Sequence, residues 1–237
     1  MPSLVGSEMC IRDRDRTVRV WSLASGECER VLRGHERDVT SVSADGAGDV
    51  VASGSYDRTV RLWRVRSASQ LLEPFVHPRT VRAVTLSVDC TLLASGCDDG
   101  AVRTWALPDG VQARVIAAHD SWVRALALSA DRRLLVSGGN DGLVGVWRVA
   151  DGSRVHALNG HSREVRSVAL SLSGRHIVST SGGRTTRVWA VDTGACTLVE
   201  TGGLRPTCAA FVSARAAAGG GGGGGGSSGC LLYTSDA

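Results

Sequence analysis

The sequence predicts an all-β chain built from repeated four-stranded units, and three observations carry that reading. Trp21, Trp63, Trp105, Trp147 and Trp189 are each separated by 42 residues, and self-similarity at such a fixed period marks repeat architectures. His35, His77, His119 and His161 keep the same interval, as do Ser53, Ser95, Ser137 and Ser179, and Asp15, Asp57, Asp99 and Asp141. Between these marks β-branched and apolar residues fall in short runs bounded by turn residues, and the three-and-four spacing of an amphipathic helix is absent.

Within a repeat, residues 51–57 read as a strand that passes through an Asp57-Arg58 turn into a second strand over 59–63, which ends on the tryptophan. Residues 44–46 and 22–26 supply further turns. Four strands of roughly 5 to 7 residues fit each repeat, a normal length. A further strand is expected around Thr207–Ser213. The run after that strand holds eight consecutive glycines. It cannot be kept as a strand, because glycine contributes no packing and loses the most backbone entropy.

These repeats resemble the WD-repeat family, whose units run about 40 to 45 residues with a Gly-His early and a Trp-Asp late and form the four-stranded blades of a β-propeller. Gly34-His35 and Gly160-His161 match the first signature, and the resemblance covers about Asp15–Ala214. The tryptophans depart from the second, being followed by Ser22, Arg64, Ala106, Arg148 and Ala190, and Gly183 stands where the turn aspartate belongs. Blades are staggered against the repeats in that family. The resemblance therefore implies an open arc of four complete blades near Asp38–Pro74, Thr80–Ile116, Trp122–Ala157 and Glu164–Thr201, with half blades at both ends, two strands before Asp38 and one strand around Thr207–Ser213, cut from a ring with two or three blades more. It also implies a buried hydrogen-bonded set in each blade, from Trp indole to Ser, Ser to His and His to Asp. Here those sets are His35, Ser53, Asp57 and Trp63; His77, Ser95, Asp99 and Trp105; His119, Ser137, Asp141 and Trp147; and His161, Ser179 and Trp189, whose blade should have the weaker network.

Both ends read as foreign to this pattern. Met9 to Asp13 and Cys230 to Ser235 resemble translations, in opposite directions, of one transposase end sequence used in preparing sequencing libraries. The expected organisation is therefore an adapter-derived segment at 1–13, a partial propeller over 14–215, an Ala/Gly-rich disordered run at 216–229 and a second adapter-derived segment at 230–237.

Composition narrows the chemistry. An apolar fraction of 43% over 237 residues suffices for a sizeable core. All 27 basic residues are arginine, which excludes a phosphate-loop lysine, a Schiff base and a lysine general base within this chain. The formal charge of +4 is mixed along the sequence and does not point to nucleic acid or membrane. Seven cysteines without a C-x-x-C pair suggest reduced thiols. With the resemblance, they place the protein inside the cell, in the cytoplasm or alternatively the nucleus. No apolar run approaches membrane-spanning length.

Ser53, His35 and Asp57 are the residue types of a hydrolase triad. The same types recur at regular intervals, and an enzyme has no need of identical repeated sites, so no catalytic residue is assigned. Arg19, Arg61, Arg103 and Arg187 precede their tryptophans by two; they read as seam residues whose guanidinium groups reach a rim, with a basic nucleic-acid track as the alternative. Cys90 and Cys97 with His77 match no zinc spacing, and neither metal nor cofactor is expected.

The expected function is a protein-protein interaction scaffold that requires no cofactor, with an RNA-binding propeller and a propeller hydrolase as the rival classes. Trp122 lies outside the 42-residue tryptophan series, at the position that is Asp38, Thr80 and Glu164 elsewhere, and should face solvent. Tyr56, Arg37, Arg79, Asp98, Asn140, Arg163 and Glu164 join it as candidate partner contacts, chosen because they share the rim of the His-bearing loops and the Asp turns; ordinary solvated loop residues are the alternative for each.

Overall fold

The computed structural model describes residues 15–201 and, of the flanking chain, the backbone of residues 3–5, 8–12, 208–213 and 230–235. All regular structure among these is antiparallel strand. The first sheet runs β1 (Ser3–Val5), β2 (Glu8–Arg12), β3 (Thr17–Ser22), β4 (Cys28–Arg33) in chain order. The second has β5 (Val39–Ala44), β6 (Val50–Ser55), β7 (Thr59–Arg64), and an outer strand broken into β8 (Ser69–Gln70) and β9 (Phe75–Val76), both paired to β7. Next come β10 (Val81–Leu86), β11 (Leu92–Cys97), β12 (Ala101–Ala106) and β13 (Val111–Ala117), then β14 (Val123–Leu128), β15 (Leu134–Gly139), β16 (Val144–Arg148) and β17 (Arg154–Leu158). The last full sheet is β18 (Val165–Leu170), β19 (His176–Ser181), β20 (Thr185–Ala190) and β21 (Cys196–Thr201), followed by a pair, β22 (Cys208–Ser213) and β23 (Cys230–Ser235).

The four central sheets begin one residue after the expected boundaries, at Val39, Val81, Val123 and Val165. Two differences stand out. The sheet before Asp38 has four strands where two were expected, and β22 has a partner where none was expected. The physical reason is the same at both places: an uncovered strand presents a row of unpaired N–H and C=O groups, and a segment able to extend will satisfy them. The glycine run within 216–229 lies outside the described residues. The break between β8 and β9 falls over residues 71–74, where Pro74 has no N–H to give to the ladder.

Successive sheets pack face to face through their innermost strands, β5 on β10, β10 on β14 and β14 on β18. Glycines on the second strand of three of the sheets permit the approach. A Cβ added at Gly54, Gly96 or Gly138 would lie 2.7, 2.5 or 2.6 Å from a methyl of Val81, Val123 or Val165 in the next sheet. Those three valines have no exposed surface, and each contributes about 1.5 kcal/mol or more by leaving water. Hydrogen bonds reinforce the first of these seams: Thr40 Oγ1 donates to the Val81 carbonyl at 2.6 Å, and Ser41 and Ser43 accept from the Val84 and Leu86 amides at 3.1 and 3.0 Å.

One irregularity recurs and aims the site. The pairing of the first and second strands slips between Val39 and Ser41, Val81 and Ala83, Val123 and Ala125, and Val165 and Ser167. The extra residues are Thr40, Arg82, Arg124 and Arg166. A bulge bends the strand and turns its extra residue out of the regular alternation.

Candidate interaction surface

The rim is held by the buried polar set beneath it. In the sheet ending on Trp63, the indole donates to Ser53 Oγ at 2.8 Å, His35 Nε2 meets the same oxygen at 2.6 Å, and His35 Nδ1 meets Asp57 at 2.7 Å. Burial opposes the charged form of Asp57, but the bonds from the His35 ring and from the Thr59 hydroxyl and amide hold its carboxyl well below the ordinary range. Trp147, Ser137, His119 and Asp141 repeat the arrangement, with the His119–Asp141 contact at 3.0 Å. Around Trp189 the indole and His161 both meet Ser179, and His161 Nδ1 is taken by Thr185 Oγ1 at 2.7 Å in place of the carboxylate that Gly183 lacks.

The set around Trp105 departs from expectation. His77 Nε2 meets Ser95 at 2.7 Å, but Nδ1 donates to the Phe75 carbonyl at 2.9 Å, and Asp99 is engaged by both Nη groups of Arg103. The Trp105 ring packs against Phe75 and His77, at 5.2 Å from each. Asp99 therefore does not belong to the His77 network. The repeats also differ one residue before each histidine. At Gly34 and Gly160 an added Cβ would lie 3.0 and 2.9 Å from the guanidinium of Arg61 or Arg187, which lies beside Trp63 or Trp189. In the second repeat that residue is Val76, and there Arg103 pairs with Asp99. Ala118, before His119, faces a repeat in which Gly145 has replaced the arginine. Arg19, Arg61, Arg103 and Arg187 each find a contact within their own sheet or its turn, namely Asp15, Gln70, Asp99 and the Cys196 sulfur respectively.

These Ser-His-Asp arrangements have triad-like distances but no route to a substrate. Ser53 and Ser137 have no exposed surface, and each hydroxyl oxygen already accepts an indole N–H. Burial holds the His77 and His161 imidazoles down at about 4, and it also lowers His119. Among the described residues, no group of three or more His, Cys, Asp or Glu side chains can hold a metal ion.

Above this set the loops lie in register. The amides of Tyr56, Asp98, Asn140 and Gly182 donate to the carbonyls of Asp38, Thr80, Trp122 and Glu164 at 2.8 to 3.1 Å. The bulge arginines project among them. Arg82 lies 5.6 Å from the Tyr56 ring centre and 4.2 Å from that of Trp122, and Arg124 lies 5.3 Å from Trp122, which immediately precedes its strand. Arg82 makes a two-point ion pair with Asp98, Arg166 pairs with Glu164 at 3.0 Å, and Arg124 Nε donates to Asn140 Oδ1 at 2.8 Å. Burial lowers the Arg124 guanidinium, as does the charge of Arg82, whereas Asp98 outweighs burial at Arg82 and raises it.

Tyr56 and Trp122 are each 39% exposed. The structure thus brings together Tyr56, Asp98, Trp122, Asn140 and Glu164. Arg37, Arg79 and Arg163 are exposed on the same loops, without a contact from their guanidinium groups to the cluster among the described residues. Sequence reasoning missed Arg82, Arg124 and Arg166. Their own 42-residue interval was the available signal, hidden because a regular strand gives no reason to single them out.

A family model described as WD domain, G-beta repeat matches residues 26–64, 69–106, 110–148 and 152–190. The chain belongs to the WD-repeat family. No protein of curated function matches it. The matched WD repeats are staggered against the sheets, so that each match ends on the strand carrying a tryptophan and opens on the outer strand of the preceding sheet.

Proposed function

We propose that this WD-repeat protein is a non-catalytic scaffold that holds a protein partner on the rim formed by Tyr56, Arg82, Trp122 and Arg124. One observation carries the reading: two large aromatic side chains stay 39% exposed while arginines stacked on them fix their positions. Rigid, half-exposed Trp and Tyr beside Arg are the residue types that dominate binding energy at protein interfaces. WD repeats in general serve this purpose, and a platform of this kind uses no cofactor.

The test is a display library of random ten-residue peptides selected on the full chain. Trp122→Ala should weaken the selected peptides at least about tenfold while leaving the thermal midpoint nearly unchanged. Early unfolding with affinity intact would make Trp122 a packing residue and remove the basis of the reading.

A second reading has one observation in its favour. Arg82 and Arg124 alternate with Tyr56 and Trp122, as side chains do on surfaces that stack single-stranded RNA. Asp98, which occupies Arg82, and Glu164, which occupies the neighbouring Arg166, count against it. Filter binding of an oligouridylate over a salt series separates the two, since RNA affinity falls steeply with salt.

A further inference from the structure

We infer that the rim seats an oxyanion, carried on an acidic or phosphorylated side chain of a partner peptide, at Arg124 beside Trp122. The inference rests on the scaffold reading and specifies its ligand. Three guanidinium groups, those of Arg82, Arg124 and Arg166, are aimed at the rim by the same bulge, and two carboxylates answer them. Register shows which arginine is left over. Asp98 faces Arg82, and its counterpart one repeat later is Asn140, a carboxamide that accepts a bond from Arg124 Nε but carries no charge.

Among the described residues Arg124 has no carboxylate in ion-pair contact, and its two Nη groups have no acceptor. Those Nη groups are the pair that meets a carboxylate or phosphate in two-point fashion. Asp98 and Glu164 offset Arg82 and Arg166, so three guanidinium groups against two carboxylates leave the charge of Arg124 unmatched, and Trp122 supplies an apolar face for the residue next to the anion. A neutral or basic peptide would leave this charge uncompensated under its contact surface, a cost that discriminates among partners more than it adds affinity.

The test uses peptides selected on the full chain, resynthesised with Glu, phosphoserine, Gln or Lys at the acidic position. The Glu or phosphoserine form should bind at least about tenfold more tightly than Gln, with Lys weakest. Whichever anion binds better identifies the source of the oxyanion. Asn140→Asp supplies the missing carboxylate with almost no change of shape and should reduce the Glu-to-Gln ratio to about threefold or less; Arg124→Gln should do the same, and circular dichroism reports whether either variant has lost its fold. Selected peptides that depend on Trp122 but show no charge preference, or an acidic preference that survives Asn140→Asp, would overturn the inference and leave the scaffold reading in place. Failure to select any peptide would sink both.

Discussion

Asp57 and Asp99 occupy the same turn position one repeat apart, and their surroundings assign them opposite weights. Asp57 has a side chain only 5% exposed and is shared among His35, two backbone amides and Thr59 Oγ1. Its removal leaves buried donors unsatisfied, so Asp57→Ala should cost about 2 to 4 kcal/mol. Asp99 pairs with Arg103 four residues away and caps the Ala101 amide. Asp99→Ala leaves the Arg103 guanidinium without its partner but no histidine unsatisfied, and should cost less than Asp57→Ala, about 1 to 2 kcal/mol. Urea melts of the two variants decide the matter, and equal losses would return Asp99 to the His77 network. The histidines make a second prediction. Imidazoles in the unfolded chain titrate near 6.5, whereas burial keeps His77 and His161 at about 4 when folded. The unfolded state therefore takes up protons between these values and the folded state does not. Stability should be full above pH 6.5, decline on acidification by up to about 1.4 kcal/mol per pH unit for each such histidine, and stop declining on this account below pH 4. Urea midpoints measured at intervals from pH 7.5 to 4 would show the slope, and His77→Gln should flatten it. A slope unchanged by that substitution would mean that His77 does not contribute.

At the scale of single elements, the local sequence explains both what was legible and what was not. The apolar pair followed two residues later by Ser-Gly in β6, β11 and β15, the turn aspartates and the tryptophan near the end of the next strand were readable because a 42-residue period repeats each independently. The split of β8 from β9 was not, since it depends on one proline inside a segment of ordinary composition. Nor was the pairing of Asp99 with Arg103 in place of His77. The close passage of Arg187 by the residue before His161 can be tested. Gly160→Ala places a Cβ about 3 Å from Arg187 Nη1, Cζ and the Trp189 ring, and should cost about 1 kcal/mol. Most of that cost should vanish in an Arg187→Gly background, the combination that Ala118 and Gly145 already represent in the neighbouring repeat. A double-mutant cycle measures the coupling. Additive losses would show that the glycine answers to backbone conformation and not to the arginine.

At the scale of the whole molecule, stability is a matter of neighbours. Each sheet contributes one face to a seam with the sheet before it and one to the seam after it, so the molecule has no single core in the sense of a two-layer domain. The rim depends on this arrangement, because Arg82 belongs to one sheet and stacks on Tyr56 and Trp122 of the two beside it. The seam glycines are the most sensitive points. Gly96 has Val123 Cγ1 and Cβ at 2.5 and 2.9 Å from where its own Cβ would lie, and the valine is fully buried with no room to retreat. Gly96→Ala should therefore cost about 2 to 3 kcal/mol, at the upper end for a single added methyl, and Val123→Ala should restore part of it by vacating the same space. Because the damage falls on one seam, hydrogen exchange should quicken in β10–β12 and β14–β15 while β18–β20, one seam removed, keep their protection. Protection lost evenly across every sheet would show instead that the blades open together, with stability that belongs to the arc as one cooperative body.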